Sequence, residues 1–338
     1  MKKYRKHTQY VFAVVGITIF SFVCYKIGPA VILEHLHEVG WWIVPALIIS
    51  PIWYLFYVIA WMQFLGRGSG DISIWELYKI KTIGEAINTT TPVNFVGGDP
   101  ARAYLLKKYY PGAECAASVV VDRTLYSIAI LIFILSGLTV AFGELDFLPE
   151  NIKYILPLIL SFIALSLGFI LARQHKGLFT FLANLMRKLK IKKEFSSKTL
   201  EKLEEVDGHI QDFYKTNKRG FWIAILLHTL AKFLGVFEIF FVGYAIDSNF
   251  TFGTAFLLAA TAPILNFAFT FIPGAIGVME GVFTAILYSL GFSPAIGISI
   301  QIVRRLRAGL WILIGFIFLG TQKRKQLAEE ENLQEINL

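Results

Sequence analysis

Hydrophobic and polar positions form long apolar blocks separated by short charged segments. Six of these blocks are each close to the roughly 20 residues that a membrane-spanning helix needs. They cover residues 10–27, 41–65, 116–142, 152–172, 220–246 and 295–320. The pattern predicts an all-α polytopic membrane protein with about six full spans, built as a single integral membrane domain over residues 1–338.

The composition agrees with this prediction and excludes an ordinary soluble domain. Hydrophobic residues make up 56% of the chain, and the mean hydropathy is +0.60. The net charge of +8 would suggest nucleic-acid binding in a soluble protein, but here the excess lies in segments that flank apolar spans. Such segments favour cytoplasmic loops that face anionic lipid, so no nucleic-acid partner is expected.

Basic segments also predict the orientation. Lysines and arginines precede the first apolar block, which lacks a small-residue cleavage site and is therefore expected to be an uncleaved span. The segment 173–219 holds twelve Lys/Arg and six Asp/Glu, and residues 323–325 form another basic cluster. The positive-inside rule then puts both termini and an amphipathic linker, 173–219, in the cytoplasm of a multi-pass inner or plasma membrane protein. This linker is read as a pair of surface helices, with a partner-docking site as the alternative.

Two apolar stretches must begin and end on the same side of the membrane under this topology. Residues 72–112 start and finish in the cytoplasm, and residues 251–292 start and finish outside. The first is a re-entrant hairpin or a cytosolic loop, and the second a re-entrant hairpin or two thin spans. Residues 10–142 and 152–320 then form two repeats of opposite orientation, as in many transporters.

A proline–acid–arginine spacing occurs once in each repeat. Asp99 and Arg123 follow Pro92 by seven and thirty-one positions, and Glu280 and Arg304 follow Pro273 at the same offsets. Each proline lies in a glycine-rich break, which predicts hairpin turns or, on the plainer interpretation, turns without further function. The predicted turn residues are Pro92, Gly97, Gly98, Pro273, Gly274 and Gly277.

Charged residues inside the apolar spans are candidates for binding. Asp122 and Arg123 lie about 12 Å into their helix, and a charge at the centre of a membrane helix costs about 2.5–3.5 kcal/mol on insertion scales. Such charges need partners or a ligand, so pairing of Arg123 with Asp99 and of Arg304 with Glu280 is one expectation, and a bound phosphate is another. The predicted substrate-binding residues are Asn88, Asp99, Arg102, Asp122, Arg123, Glu280, Arg304 and Arg305, and a proton or ion relay is predicted through Glu85, Lys232 and Glu238.

Known catalytic and metal-binding patterns are missing from the sequence. It has no G-x-S-x-G, H-E-x-x-H or phosphate-binding Gly-Lys-Ser/Thr motif, and its two cysteines and six histidines form no metal-ligand spacing. His228, which lies in a span, is expected to make a structural hydrogen bond. The chain is therefore predicted to be a non-enzyme without a metal or cofactor.

Three segments together resemble the flippase-like membrane region of lysylphosphatidylglycerol synthases. They are N-T-T-T-P-V-N-F-V-G-G-D-P-A-R at 88–102, V-V-V-D-R at 119–123 and P-G-A-I-G-V-M-E-G at 273–281. The resemblance covers nearly the whole chain and implies movement of a modified or glycosylated lipid between leaflets, through a cavity between re-entrant hairpins. No segment here resembles the aminoacyl-transferase domain of those synthases, so lysyl transfer is not expected.

The leading hypothesis is a flippase-like protein that binds and translocates an anionic phospholipid or polyprenyl-phosphate lipid through a central cavity. A secondary transporter of a small solute is the first alternative. The second is a non-catalytic subunit that presents lipid to a separately encoded glycosyltransferase or aminoacyl-transferase. A homo-oligomer is compatible with each of these hypotheses.

Overall fold

The apolar blocks of the sequence form helices in the computed structural model, which describes residues 25, 29–65, 72–91, 97–141, 150–191, 195–269 and 277–336. Twelve α-helices and no strand occur in these ranges. They are α1 Pro29–Val39, α2 Ile43–Met62, α3 Ile74–Thr90, α4 Gly98–Leu106, α5 Gly112–Ala141, α6 Glu150–Gln174, α7 Leu178–Lys188, α8 Ser197–Thr216, α9 Lys218–Ile246, α10 Phe252–Ala268, α11 Val278–Ser289 and α12 Pro294–Ile336.

Three helical stretches in the described ranges are long and apolar enough to cross a membrane by themselves. They are Leu33–Met62, Gly112–Gly137 and Lys218–Ile246, with mean hydropathy values of 2.1, 1.9 and 1.9. The all-α polytopic prediction is therefore confirmed. The predicted span 10–27 lies outside the described residues, and α12 continues as a helix well past residue 320, where the last span was predicted to end.

Helices α3, α4, α10 and α11 occupy the two stretches predicted as hairpins. Ser73 caps α3 by accepting a hydrogen bond from the amide of Glu76 at 3.1 Å, and Thr251 caps α10 by accepting one from Thr254 at 3.1 Å. The two connections, residues 92–96 and 270–276, lie outside the described residues, and with them the predicted turn residues Pro92, Pro273 and Gly274.

The helices of the two halves pack across each other. Helix α9 lies along α2 and also contacts α5, α10 and α12, so it forms the centre of the bundle. Helix α3 packs on α12, and α10 packs on α5. Glycines allow both crossings to be close: a Cβ at Gly315 would lie 2.4 Å from Cβ of Ala86, and a Cβ at Gly137 would lie 2.3 Å from Cβ of Ala260.

This packing forms two hydrophobic cores among the described residues. One surrounds α3, α4 and the first part of α5, with Trp61, Leu77, Ile83 and Leu125 among its buried side chains. The other surrounds α10, α11 and α12, with Val236, Phe256, Phe283 and Ile300. Each of these two helix groups therefore has its own core, and the charged residues described next lie beside these cores.

Candidate functional site

Asp122 of α5 lies at the centre of a buried charge cluster that joins four helices. Its Oδ2 accepts hydrogen bonds from Nζ of Lys81 on α3 at 2.8 Å and from Nη2 of Arg102 on α4 at 2.5 Å. Nε2 of His228 on α9 lies 3.1 Å from its Oδ1. All four side chains are buried. Because an unpaired charge would be costly here, the carboxylate fixes the relative positions of these helices.

Asp99 and Arg123 form a second pair directly beside this cluster. Nε and Nη2 of Arg123 donate to the two oxygens of Asp99, both at 2.8 Å, and Nη1 of Arg102 also donates to Asp99 at 3.2 Å. The side chains of Arg123 and Asp99 are 21% and 15% exposed, whereas that of Arg102 is completely buried. The Asp99–Arg123 pair is therefore the accessible edge of the cluster.

Close backbone packing at the first break positions α4. The amide of Gly98 donates to Oδ1 of Asn88 at 2.8 Å, while Nδ2 of Asn88 is buried without a partner among the described residues. A Cβ at Gly98 would lie 2.0 Å from the carbonyl oxygen of Gly84, and a Cβ at Gly84 would lie 2.4 Å from Cγ of Arg102. These two glycines let α4 approach α3 closely enough for Arg102 to reach Asp122.

A second charged cluster lies where α9, α11 and α12 meet. Nε of Arg305 donates to Oε1 of Glu280 at 2.6 Å, and Oε2 of Glu280 accepts from the amide of Gly277 at 2.8 Å. Nε of Arg307 donates to Oε1 of Glu238 at 2.5 Å. The guanidinium of Arg304 makes no hydrogen bond or ion pair among the described residues, and its Nη1 is buried. This cluster therefore contains one guanidinium without a carboxylate.

An aromatic stripe on α2 lines both clusters. Trp53, Tyr57 and Trp61 recur every four residues and so share one face of the helix. The guanidinium of Arg307 lies 4.8 Å from the ring centroid of Trp53, and that of Arg102 lies 4.0 Å from Trp61. Cation–π contacts of this kind stabilise partly desolvated cations. The two tryptophans are eight positions apart, so the clusters lie about 12 Å apart along α2.

Tyrosines and a lysine occupy the space between the clusters. Nζ of Lys232, at the middle of α9, donates to the hydroxyl of Tyr126 at 2.7 Å and lies 4.5 Å from its ring centroid. The rings of Tyr57 and Tyr126 lie 5.5 Å apart. Glu85 is half-buried near Arg123 and Tyr57, and its carboxylate makes no hydrogen bond or ion pair within the described residues. This region thus holds polar groups that are not fully paired.

Comparison with known proteins identifies the family. The model of the lysylphosphatidylglycerol synthase TM region matches residues 10–315. The chain belongs to this family. It is also 23% identical over 330 residues to a UPF0104 membrane protein of Pyrococcus horikoshii, covering 93% of this chain and 98% of that protein. A UPF0104 membrane protein of Methanothermobacter thermautotrophicus is 24% identical over 329 residues, covering 91% of this chain and 93% of that one.

The predicted site residues of this family member fall into two groups. Asn88, Asp99, Arg102, Asp122 and Arg123 lie together around the first hairpin, and Glu280, Arg304 and Arg305 lie together around the second. The predicted pairing of Arg123 with Asp99 is present. The predicted pairing of Arg304 with Glu280 is wrong, because Glu280 binds the next residue, Arg305.

The three predicted relay residues have separate partners. Glu238 binds Arg307, Lys232 binds Tyr126, and Glu85 binds neither of the other two. Direct hydrogen bonds therefore do not link these residues to one another. His228 makes the structural hydrogen bond expected of it, with Asp122 as the partner.

Sequence reasoning missed the aromatic part of the site. The four-residue spacing of Trp53, Tyr57 and Trp61 is visible in the sequence, but aromatic stripes on apolar helices usually pack against lipid or core. Lys81, whose ammonium group is buried against Asp122, is likewise absent from the predicted site residues. Within the described residues, no group of three or more His, Cys, Asp or Glu side chains is arranged to hold a metal ion.

Proposed function

We propose that this protein binds an anionic membrane lipid by its phosphate, in the region between the two charged clusters, and moves that lipid between leaflets. Arg304 is the observation that carries the proposal. It has a buried guanidinium nitrogen and no carboxylate partner among the described residues, while its neighbours Arg305 and Arg307 are both paired. A phosphate would supply the missing acceptor, and the planar guanidinium can donate two hydrogen bonds to it.

The charge balance of the site supports an anionic ligand. Among the residues that the structure describes, seven basic and five acidic side chains lie in and between the clusters. The basic residues are Lys81, Arg102, Arg123, Lys232, Arg304, Arg305 and Arg307, and the acidic residues are Glu85, Asp99, Asp122, Glu238 and Glu280. Uncompensated positive charge is costly at membrane depth. A bound phosphodiester would offset part of this excess and would lower that cost.

The separation of the clusters supports a path rather than a single pocket. Lys232 lies on α9 between His228 of the first cluster and Glu238 of the second. A headgroup that moved between Arg123 and Arg304 would pass the ammonium group of Lys232 and the hydroxyls of Tyr57 and Tyr126. Its acyl chains would remain in lipid throughout, which is how a lipid transporter avoids moving them through a polar channel.

Contacts between helices of opposite halves support an inverted repeat, whose two halves would move relative to each other during transport. Asp99 and Glu280 lie in the first turns of α4 and α11, the second helices of the two hairpins. The first helix of each hairpin packs on the arginine-bearing helix of the other half, since α3 contacts α12 and α10 contacts α5. In our proposal the two hairpins are re-entrant and open the site alternately to each leaflet.

Reconstituted vesicles provide the test. The purified chain is placed in liposomes without any partner, and leaflet exchange is measured for fluorescent phospholipids and polyprenyl-phosphate lipids. We expect exchange by the wild type and a marked loss in Arg123→Gln/Arg304→Gln. Arg219→Gln, which changes an exposed arginine at the start of α9, is the matched control and should retain exchange.

Other results would point elsewhere. Equal exchange by the wild type and the double variant would refute the assigned roles of Arg123 and Arg304. No lipid exchange together with gradient-driven uptake of a water-soluble substrate would identify a solute transporter. Lipid that co-purifies with the chain and is never exchanged would favour a subunit that presents lipid to a separate transferase.

A further inference from the structure

A sharp bend follows the fourth predicted span. Helix α6 ends at Gln174, and α7 begins at Leu178 with its axis turned by 103°. Along α6 the side chains of Phe162, Leu165 and Phe169 are 68%, 74% and 56% exposed, as expected of a helix that faces lipid. If α6 crosses the membrane, α7 runs nearly parallel to the membrane surface.

Several contacts fix this bend. Gly177 has φ +94°, a conformation that favours glycine. Nε2 of Gln174 donates to the hydroxyl of Thr124 at 2.7 Å, and its Oε1 accepts from the hydroxyl of Tyr214 at 2.5 Å. Asp207 of α8 caps α7, since its carboxylate accepts from the amides of Phe179 and Thr180 at 2.9 and 2.8 Å. The orientation of α7 is therefore part of the fold.

One exposed side of α7 is apolar. Leu182, Leu185 and Leu189, the residue that directly follows the helix, recur at helical spacing and are 41%, 37% and 60% exposed. Ile191, two positions further on, is 67% exposed. Ala183, which points elsewhere around the helix, is 4% exposed. The helix thus presents large aliphatic side chains on a surface that α8 leaves uncovered.

This apolar face is continuous with the exposed face of α6. The rings of Phe169 on α6 and Phe181 on α7 lie 6.2 Å apart, and the guanidinium of Arg173 lies 3.6 Å from the ring centroid of Phe181. Because the apolar face of α7 continues the lipid-facing side of α6, both faces are expected to contact the same membrane. Exposed basic side chains end the helix, namely Arg187, Lys188 and, just after it, Lys190.

We propose that α7 is an interfacial helix, with Leu182, Leu185 and Leu189 inserted into an anionic lipid surface and Arg187, Lys188 and Lys190 at the level of the lipid phosphates. Leucines on one side and cations at the end of the helix match what such a surface binds. Lipid fits better than a second copy of the chain, because the basic cluster would meet its own like charge across a two-fold interface. The proposal concerns the outer edge of the protein and does not depend on the central site.

Spin labelling of the full chain in vesicles tests this proposal. Single cysteines are introduced as Leu182→Cys and Asn184→Cys in a Cys24→Ser/Cys115→Ser background and labelled with a nitroxide. Both positions are exposed, and they point about 200° apart around the helix, which makes them a matched pair. Collision rates with oxygen, which enters lipid, and with a water-soluble nickel chelate are measured in vesicles of phosphatidylcholine mixed with phosphatidylglycerol.

We expect the label at 182 to collide several-fold more with oxygen than the label at 184, and the reverse for nickel. Lys188→Gln/Lys190→Gln should then raise nickel access at 182 in these anionic vesicles. Similar oxygen-to-nickel ratios at the two positions would overturn the proposal. Spin–spin broadening at 182 would also overturn it, since a second copy would then cover this face. An unchanged nickel rate in the charge variant would refute the role assigned to the basic residues.

Discussion

Arg305 donates from Nε to Oε1 of Glu280 at 2.6 Å, one position beyond the arginine that the repeated spacing indicates. The equivalent pair in the first half, Asp99 with Arg123, follows the spacing itself. In both halves a carboxylate in the first turn of a short helix is paired with an arginine, but the two arginines occupy different positions relative to the spacing. The consequence in the second half is that Arg304 keeps no carboxylate partner among the described residues.

Arg304→Gln should weaken retention of anionic lipid without lowering thermal stability. The loss should be about ten- to a hundred-fold in apparent affinity, because a hydrogen bond to a charged group contributes about 1.5–3 kcal/mol. No carboxylate of the described residues loses a hydrogen-bond or ion-pair partner in this variant, so the melting temperature should stay the same or rise. Lipid retention is measured by mass spectrometry after gentle purification, and stability by thermal unfolding in detergent.

Arg305→Gln is the comparison variant for Arg304→Gln, because it changes the adjacent arginine, which is paired. It leaves Glu280 without its guanidinium, so its melting temperature should fall even if lipid retention is kept. If Arg304→Gln destabilised the protein as much as Arg305→Gln, Arg304 would have a structural partner that the proposal does not include.

Asp122→Asn should destabilise the fold severely. The substitution keeps the shape of the side chain but leaves the buried ammonium group of Lys81 without its ion-pair partner, and leaves Arg102 with Asp99 as its remaining carboxylate. Removing one partner of a buried ion pair costs about 3–5 kcal/mol. Asp212→Asn, at an exposed position on α8, should be nearly neutral. Both are compared with the wild type by thermal unfolding in detergent.

The double variant Asp122→Asn/Lys81→Met separates charge from packing. Removing the ammonium group as well should restore part of the lost stability, because one uncompensated cation disappears. If the two substitutions destabilised the protein additively, the pair would not be energetically coupled, and the central role of Asp122 would be wrong.

Gly98→Ala should disrupt the first hairpin. The added Cβ would lie 2.0 Å from the carbonyl oxygen of Gly84 and 2.5 Å from Cγ of Asn88, so α4 would have to move away from α3. Overpacking of this kind costs about 1–3 kcal/mol, and the movement would also draw Arg102 away from Asp122. The melting temperature, measured by thermal unfolding in detergent, and the rate of lipid exchange in vesicles should both decrease.

Gly281→Ala is the matched control in the second hairpin. A Cβ there meets nothing within 4 Å among the described residues, and the residue lies inside α11. Alanine should therefore be neutral or add up to about 1 kcal/mol of stability. Equal effects of the two substitutions would mean that the close approach at Gly98 does not matter.

The elements of the fold could be predicted because apolar length and helix-breaking residues are local signals. The boundaries of α5, α6 and α9 fall within a few residues of the predicted spans. The acids and arginines of the first cluster could also be predicted, because charged residues are rare in apolar helices and therefore indicate a candidate site. The amphipathic spacing in 173–219 likewise predicted α7 and α8.

The partners of these charges could not be predicted. Adjacent arginines on one helix differ by about 100° in direction, so the choice between Arg304 and Arg305 as partner of Glu280 depends on how α11 lies against α12. The same holds for Lys81 and His228, which meet Asp122 only because α3, α5 and α9 converge. Spacing along the chain carries no information about such angles.

Single cysteines on either side of α9 should be labelled from opposite faces of the membrane. This helix runs from Lys218 to Ile246, about 43 Å, which exceeds the roughly 30 Å of the hydrocarbon core. In a Cys24→Ser/Cys115→Ser background, Ser248→Cys should react with an impermeant maleimide in intact cells. Glu204→Cys on α8 should react only after the membrane is opened, because the basic segment that contains it is expected in the cytoplasm. Both positions are exposed, so burial does not limit either reaction.

Labelling of Glu204→Cys alone in intact cells would reverse the proposed orientation, and labelling of both would show that α9 does not cross the membrane.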